Sequence, residues 1–361
     1  MKLKVSAEYV LSPLAPLLGR AHAWVNRIHV LSDGSAVAHL SSIDDDEFRD
    51  HLVVMRDGRL RVIHEPASLT LARERCEADP DRRKGMFAQS FRVQDRVGLL
   101  LSDRWAWLFD PLHGDEAVEL AIEAPLPTWA HARHENLRGA YRPQRCGETV
   151  DHRVPVSLQH PDTSHDYTGY LSLLDVDVKA ARARWSLLDA QGRPVTVPYE
   201  PNPNYEGMEG YGGAQIGGLA WLGDRLRVFN TGNSTHLGRM GHGTSCAVLE
   251  TGPDGQAPVA LRVLDESCHG CFVNGGDDVL LEPRFKTGPR KGKPSLLALS
   301  AGTEEALAPP RGYAGFLPYA MAAGTIWFVG GSSSGSWSGW QTLSVRDDED
   351  DHCRVIACQP A

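Results

Sequence analysis

The stretch from Asn230 to His242 carries the densest set of side chains that could do chemistry. It combines small polar residues with Arg239 and with the histidines His236 and His242. Histidine changes charge near neutral pH, so His236 or His242 could transfer a proton or contact a ligand. The alternative is that both histidines satisfy the backbone of a loop, and the residue types alone leave both interpretations open.

A second polar cluster contains His131, His134 and Glu135, with several arginines close behind. In a helix, His131, Glu135 and Arg138 would share one face, which could hold a metal ion or an anion. His134 and Glu135 are therefore further candidates for catalysis. A solvated helix face would explain the same spacing without any site.

A metal site is suggested by the spacing Cys268-His269-Gly270-Cys271. Zinc would need two more ligands, and His352, Cys353 and Cys358 could supply them if the end of the chain lies beside this segment. Two ordinary thiols are the alternative interpretation of Cys268 and Cys271. The acidic runs at 44–47 and 347–351 could bind calcium, but neither has EF-hand spacing and exposed loops also explain them.

Recognised catalytic motifs do not add a reaction to these clusters. The chain has no HExxH sequence, no phosphate-binding GxxxxGK[ST] loop and no GxGxxG between a strand and a helix. Residues 331–335 match GxSxG by letter, but no helix is predicted after them. The catalytic residues are therefore unknown at this stage.

Composition favours many short strands joined by turns. The 361 residues include 36 glycines and 23 prolines, spread along the whole chain. A net charge of −9 disfavours nucleic acid and anionic membranes as partners. No apolar run reaches the roughly 18 residues of a membrane span, and no secretion signal is convincing. Seven is an odd number of cysteines, and a chain of this size can bury a core without disulfides. Reduced thiols are therefore expected, which favours a cytoplasmic protein.

A recurring unit organises the chain: an alternating strand, a tight turn, a second strand, a longer loop and another hairpin. The clearest copy places the turns Asp33-Gly34 and Asp57-Gly58 between alternating strands over residues 28–63. Asp-Gly between such strands is a strong hairpin signal. Four strands in this order resemble one blade of a β-propeller, and the resemblance covers nearly the whole chain without singling out a family. We therefore predict an all-β fold, a single propeller of about six four-stranded blades.

The predicted propeller is one domain over residues 1–361. Residues 1–12 contain an alternating strand that we expect to join the last blade, since an open ring would expose strand edges. Two packed β-sandwiches are the competing architecture, but they give no reason for regularly spaced copies. The expected blades cover approximately residues 20–66, 86–124, 131–198, 213–266, 270–309 and 315–358.

The connections are predicted to differ between the two faces of the propeller. Short Asp and Gly turns fall on one face, and the other face, here called the long-loop face, carries the loops at 41–50, 65–86, 125–151, 160–167, 199–213, 230–243, 283–294 and 330–339. Functional groups tend to lie on long loops, so we expect this face to bind. Its predicted contacts are Tyr199, Tyr205, Tyr211, His236, Arg239, His242, Trp337 and Trp340. The aromatic residues could instead plug the central channel.

Three functions fit this pattern. The leading hypothesis is a protein-binding propeller that engages a partner protein as a scaffold, a regulator or a neutraliser of a toxin. The alternative is a hydrolase or lyase with histidines and carboxylates at the mouth of the channel, either with or without a zinc or calcium ion. The third is a glycan-binding propeller that uses Tyr and Trp. The fold alone does not choose among them.

Overall fold

A computed structural model describes residues 1–11, 14, 22–44, 47–77, 88–124, 126, 129–130, 138–139, 142–159, 170–196, 216–230, 246–251, 259–264, 268–283, 293–313, 316–330, 341–343 and 353–361. In these ranges the only α-helix is α1 (Ala67–Glu77). None of the helices in these ranges is long and apolar enough to cross a membrane.

Strands dominate the described residues. The first half of the chain forms β1 (Leu3–Val10), β2 (His22–Val30), β3 (Ala36–Asp44), β4 (Glu47–Arg56), β5 (Arg59–His64), β6 (Gln89–Val93), β7 (Arg96–Leu100), β8 (Ala106–Phe109), β9 (Ala117–Ile122), β10 (Trp129–Ala130), β11 (Arg138–Gly139), β12 (Arg142–Cys146), β13 (Glu148–Thr149), β14 (Arg153–Gln159) and β15 (Tyr170–Asp177). The second half forms β16 (Arg182–Ser186), β17 (Val195–Thr196), β18 (Ile216–Leu222), β19 (Arg225–Asn230), β20 (Cys246–Thr251), β21 (Val259–Leu264), β22 (Cys268–Val273), β23 (Asp278–Pro283), β24 (Ser295–Ala298), β25 (Thr303–Ala306), β26 (Leu317–Ala322), β27 (Thr325–Gly330), β28 (Gln341–Leu343) and β29 (Arg354–Pro360).

These strands pair as successive antiparallel units that form a propeller-like ring of sheets. The first unit is β2–β5, the second β6–β9, the third β12 with β14–β16, the fourth β18–β21, the fifth β22–β25, and the last is β26, β27, β29 and β1. The predicted all-β propeller is therefore confirmed. The number of blades stays a prediction, because a parallel pairing of β9 with β16 joins the second and third units into one nine-stranded sheet.

The N-terminal strand closes the last unit, as predicted. β1 runs antiparallel to β29, with Leu3 opposite Pro360 and Val10 opposite Arg354. The amide of Leu11 continues this pairing by donating a 2.9 Å hydrogen bond to the carbonyl of Cys353. The two ends of the described chain thus share one sheet, and β1 covers the edge that β29 would otherwise expose.

The core lies between neighbouring units. Clusters of buried apolar side chains fill the space between successive sheets around the ring. One cluster packs Trp327 and Val355 of the last unit against Ile28 and Met55 of the first unit. Strands such as β7 and β8 are buried on both faces, whereas β1 alternates between half-buried and exposed residues along most of its length.

The tight hairpins are confirmed where they can be observed. Asp57 and Gly58, between β4 and β5, both have positive φ (50° and 71°), the conformation of a type I′ turn. Gly34 and Gly223 also have positive φ, at 83° and 63°. The predicted turn at 254–255 lies outside the described residues.

Three predicted long loops contain regular structure instead. The loop predicted at 41–50 is the paired end of β3 and β4, in which Ser41 opposes Asp50. The loop at 65–86 contains α1, and the loop at 125–151 contains β12 and β13. These segments lack apolar alternation because their polar side chains are used inside the protein, as the hydrogen bonds described below show.

Candidate functional site

The innermost strands surround a central channel with a cavity of about 230 Å³. β2, β6, β12, β18, β22 and β26 each contribute residues to its wall. The charged residues that line it in the described part of the chain are Arg27, Arg92, Arg145, Glu148 and Glu282. Three arginines face two glutamates, so this charged set has an excess of one positive charge.

The carboxylate of Glu148 lies between two guanidinium groups. Arg27 of β2 donates from Nη2 to Oε1 of Glu148 over 2.6 Å, and from Nη1 to the carbonyl oxygen of Cys146. Arg92 of β6 places its Nη2 3.8 Å from the other carboxylate oxygen, Oε2. All three side chains are only about a quarter exposed or less (23%, 16% and 25% for Arg27, Glu148 and Arg92). The channel thus already holds a carboxylate between arginines from two different units.

Backbone packing fixes the position of Glu148. It follows β12 directly and belongs to β13, which pairs in parallel with β18, Glu148 opposite Ala220. A Cβ atom on the preceding residue, Gly147, would come within 2.5 Å of Leu219. Glycine is therefore needed there for the chain to pass close to β18 and bring Glu148 into the channel.

A buried histidine and serine meet in the channel wall beside these charges. His29 Nε2 lies 2.9 Å from Ser90 Oγ, which joins the first and second units. Burial, reinforced by the positive charges of Arg27 and Arg92, holds the pKa of His29 well below its ordinary value. His29 is therefore neutral at neutral pH.

Behind the channel wall, Asp50 is fully buried and accepts four hydrogen bonds. The donors are Nε2 of His39 (2.9 Å), Oγ of Ser41 (2.6 Å), Nη2 of Arg73 (2.8 Å) and the amide of Ala88 (2.9 Å). Burial alone would raise the pKa of Asp50, but the hydrogen bond from His39 and the charge of Arg73 lower it below its ordinary value. Asp50 is therefore an ionised carboxylate that ties β3, α1 and the start of β6 together.

Glu65 extends this network toward α1. It accepts from the backbone amide of Asp50 (2.8 Å), from Arg73 (2.9 Å) and from Thr70 (2.8 Å). The connection between the first and second units is thus held by buried ion pairs, which explains why it is a helix rather than the predicted loop. The wall that carries His39 into the channel rests on this rigid support.

The buried side chain of His51 leads us to expect that the fold weakens in mild acid. Neither of its ring nitrogens has a hydrogen-bond partner among the described residues, and burial lowers its pKa to about 4, against 6.5 for an ordinary histidine. Between pH 6.5 and 4 the unfolded state therefore binds a proton at this histidine that the folded state does not bind. The free energy of unfolding should fall by about 3 kcal/mol as the pH falls from 6.5 to 4. Urea denaturation across this pH range measures the loss.

The matched variants are His51→Leu and, at an exposed histidine, His152→Gln. We expect His51→Leu to flatten the pH dependence by about that amount and to leave the stability at pH 7 unchanged or higher, because no hydrogen bond is lost. His152→Gln should keep the wild-type slope. An unchanged slope in His51→Leu would assign the acid sensitivity to other groups.

The three cysteines named as weak metal candidates do not converge. Cys268 packs in the cluster between the fourth and fifth units, Cys271 lies against the cluster between the fifth and last units, and Cys353 lies in the cluster between the last and first. In a strand, residues three apart point to opposite faces, which separates Cys268 from Cys271. Burial raises the pKa of Cys271 to about 11 and that of Cys353 to about 12, so both are thiols at neutral pH. Within the described residues, no group of three or more metal-ligating side chains occurs.

The other candidates named from the sequence lie outside the described residues. They are His134, Glu135, His236 and His242 as catalytic candidates, and Tyr199, Tyr205, Tyr211, Arg239, Trp337 and Trp340 as further contacts of the long-loop face. Their roles stay predictions. The helix face suggested for His131, Glu135 and Arg138 does not include Arg138, which lies in β11 opposite Ala130.

Sequence reasoning missed the charged residues of the channel. Arg27 and Arg92 each interrupt a strand with apolar neighbours, and Arg145 and Glu148 lie in the segment 125–151, which was predicted to be a loop. A charged residue in the innermost strand of each of the first three units was the available signal. It was hidden because the strand Arg142–Cys146 has too few apolar residues to be recognised.

No protein-family model and no curated protein matches the chain. Among solved structures, a protein of unknown function from Dyadobacter fermentans covers 99% of this chain and 99% of its own, with 11% identity and a TM-score of 0.48. The match with an oligogalacturonate lyase from Vibrio parahaemolyticus covers 94% of this chain and 91% of the lyase chain, with 10% identity and a TM-score of 0.45. The match with the β-propeller domain of the Trilobed protease from Pyrococcus furiosus covers 85% of this chain and 91% of that domain's chain, with 9% identity and a TM-score of 0.39. Similarities this low transfer no activity to the chain.

Proposed function

We propose that this propeller binds a small organic acid in its central channel. The observation that carries the proposal is the convergence of Arg27, Arg92 and Arg145 on one cavity in which Glu148 already occupies a position between two guanidinium groups. Guanidinium groups match carboxylates in both charge and geometry. Their attraction is strengthened because the sheets around the channel exclude much of the solvent.

Arg92 contacts Glu148 at a longer distance than Arg27 does. Its ion pair with Glu148 is 3.8 Å long, and its other contact, with the carbonyl of Gln94, is 3.4 Å. Both contacts are long for charge-assisted hydrogen bonds, which are usually about 2.7–2.9 Å. Arg92 can therefore take a ligand carboxylate without first breaking a strong bond.

The size of the channel limits the ligand. Its cavity of about 230 Å³ is smaller than the roughly 300–1,000 Å³ typical of sites for drug-sized ligands. A three- or four-carbon acid is the appropriate probe. Succinate and its uncharged diamide, succinamide, have the same shape and differ mainly in charge.

We expect succinate to bind and succinamide to bind at least about tenfold more weakly, because a hydrogen bond to a charged group is worth about 1.5–3 kcal/mol. Arg92→Gln should lower the affinity for succinate by a similar factor. Titration calorimetry measures both effects.

The control is Arg96→Gln, in the adjacent strand β7. Arg96 pairs with Asp110 at 2.5 Å and does not line the channel, so this variant should bind succinate as the wild type does. Equal affinity for succinate and succinamide, or an unchanged affinity in Arg92→Gln, would contradict the proposal.

Binding of a partner protein is a second candidate function, and the distribution of connections favours it. The observed turns at 57–58, 94–95, 223–224 and 323–324 are two residues long and join strands on one face, and the connection that contains α1 lies on the other. The test is capture of a stoichiometric partner in the native host by the wild type but not by a variant with His236→Ala, His242→Ala and Trp337→Ala. Equal recovery by both forms would remove this face from consideration.

A further inference from the structure

Asn26 occupies an irregular position in the channel wall. In the pairing of β2 with β3, Val25 opposes Leu40 and Arg27 opposes His39, so Asn26 has no residue opposite it. This extra residue makes a β-bulge, a feature that re-aims side chains and occurs often beside binding sites. The side chain of Asn26 is half-buried and lines the channel next to Arg27.

The buried network behind Asn26 determines which way its amide points. Asp50 is an ionised carboxylate and has no hydrogen to give, so Ser41 and His39 must both donate to it. The hydroxyl of Ser41 has only one hydrogen, and its oxygen can then only accept from Asn26. The orientation of the Asn26 amide therefore follows from Ser41 alone.

The hydroxyl oxygen of Ser41 faces the nitrogen end of the Asn26 amide. The amide nitrogen Nδ2 donates to Ser41 Oγ and lies 3.5 Å from His39 Nδ1. The amide nitrogen is therefore turned into the wall. The amide oxygen is the atom that remains for the channel, where it can accept a hydrogen bond.

We infer that Asn26 accepts a hydrogen bond from a donor group on the ligand, so that the channel selects a small carboxylate that also carries a hydroxyl or ammonium group. This inference rests on the proposed binding of an organic acid and adds a second requirement to it. Arg27 and Arg92 supply the attraction for the carboxylate. Asn26 supplies the preference for a donor, and it is a specificity residue rather than a source of charge.

The test uses two pairs of acids that differ by one hydroxyl: lactate with propionate, and malate with succinate. In the wild type we expect the hydroxylated acid of each pair to bind about tenfold more tightly, the effect of one good hydrogen bond. In Asn26→Leu, which has nearly the same size and no acceptor, the two acids of a pair should bind equally. Far-UV circular dichroism and the melting temperature check that the variant is folded, and its affinity for propionate and succinate reports separately on the arginines. Alanine in place of lactate tests whether an ammonium group is read as well as a hydroxyl.

The outcomes separate this inference from the proposed function. If hydroxylated and plain acids bind the wild type equally, the role of Asn26 is wrong while acid binding stands. If the preference survives in Asn26→Leu, another group reads the hydroxyl and the inference is overturned. If none of the acids binds, the proposed function fails and the inference fails with it.

The amide orientation can be checked without any ligand. Proton–nitrogen NMR of the Asn26 side chain should show amide hydrogens that exchange slowly with water, because Nδ2 is turned into the wall. Fast exchange of these hydrogens, as for an amide nitrogen that faces the channel, would place the oxygen against the wall and overturn the inference.

Discussion

Replacing Asp50 by Asn is expected to destabilise the protein by about 3–5 kcal/mol, the usual cost of breaking a buried ion pair on one side. Four donors now converge on the two carboxylate oxygens of Asp50, whereas Asn has only one acceptor oxygen. Its amide hydrogens would also face donors. The guanidinium of Arg73, only 4% exposed, would keep Glu65 as its charged partner but lose the carboxylate at 2.8 Å. Urea denaturation at pH 7 measures the loss, which is a large part of the 5–15 kcal/mol typical of a folded protein.

The control for this variant is Asp57→Asn, in the exposed turn between β4 and β5. Asp57 has a positive φ of 50°, which Asn tolerates, and its carboxylate is exposed. We expect this change to alter the stability by less than about 0.5 kcal/mol. A double variant, Asp50→Asn with Arg73→Gln, should be less destabilised than the sum of the two single variants, because Asp50 and Arg73 contact each other directly and Glu65 keeps its ion pair with Arg49 at 3.1 Å. Additive effects would show that the ion pair itself contributes little.

Replacing Tyr9 by Ala is expected to weaken the closure of the ring, with a loss of about 3–5 kcal/mol. Tyr9 is 5% exposed and belongs to the cluster that joins the last unit to the first. Its ring stacks on Trp327, with centroids 6.0 Å apart and planes inclined by 23°. Removing it leaves a cavity under β1, the strand that completes the last sheet. Thermal unfolding measures the stability, and hydrogen exchange of the β29 amides should accelerate because β1 then detaches more easily.

The matched control is Tyr9→Phe, which keeps the aromatic ring and removes only the hydroxyl. We expect it to cost about 1 kcal/mol or less and to leave the exchange of β29 near the wild-type rate. If Tyr9→Ala unfolds at the wild-type temperature, β1 contributes little to closing the ring. Loss of stability without faster exchange in β29 would place the effect in the first unit instead.

The repeated hairpins made the fold predictable, and the reason is local. Asp57-Gly58 specifies its turn through positive φ angles, whatever the rest of the chain does. The alternation in residues 2–10 likewise marked a strand, and ring closure gave it one place to pair. Strands without apolar residues were missed for the opposite reason. All four residues of Thr303–Ala306 are exposed on the outer edge of the fifth unit, so this strand has no hydrophobic pattern to detect.

The channel site depends on residues that are distant in the sequence. Arg27 and Glu148 are 121 residues apart, yet their side chains meet at 2.6 Å because each lies in or beside an innermost strand of the ring. No spacing rule connects such residues, since the distance along the chain depends on the lengths of the loops between units.

The sequence by itself determined the propeller, its tight turns and its closing strand, because those follow from local backbone preferences and from alternating burial. The tertiary structure decided that the charged side chains of the innermost strands converge on one channel. It also decided which way Asn26 presents its amide, since that depends on a proton count in a buried network: one hydrogen on Ser41 and none on Asp50. The functional hypothesis consequently moves from the loops of one face to the charged channel at the centre of the ring.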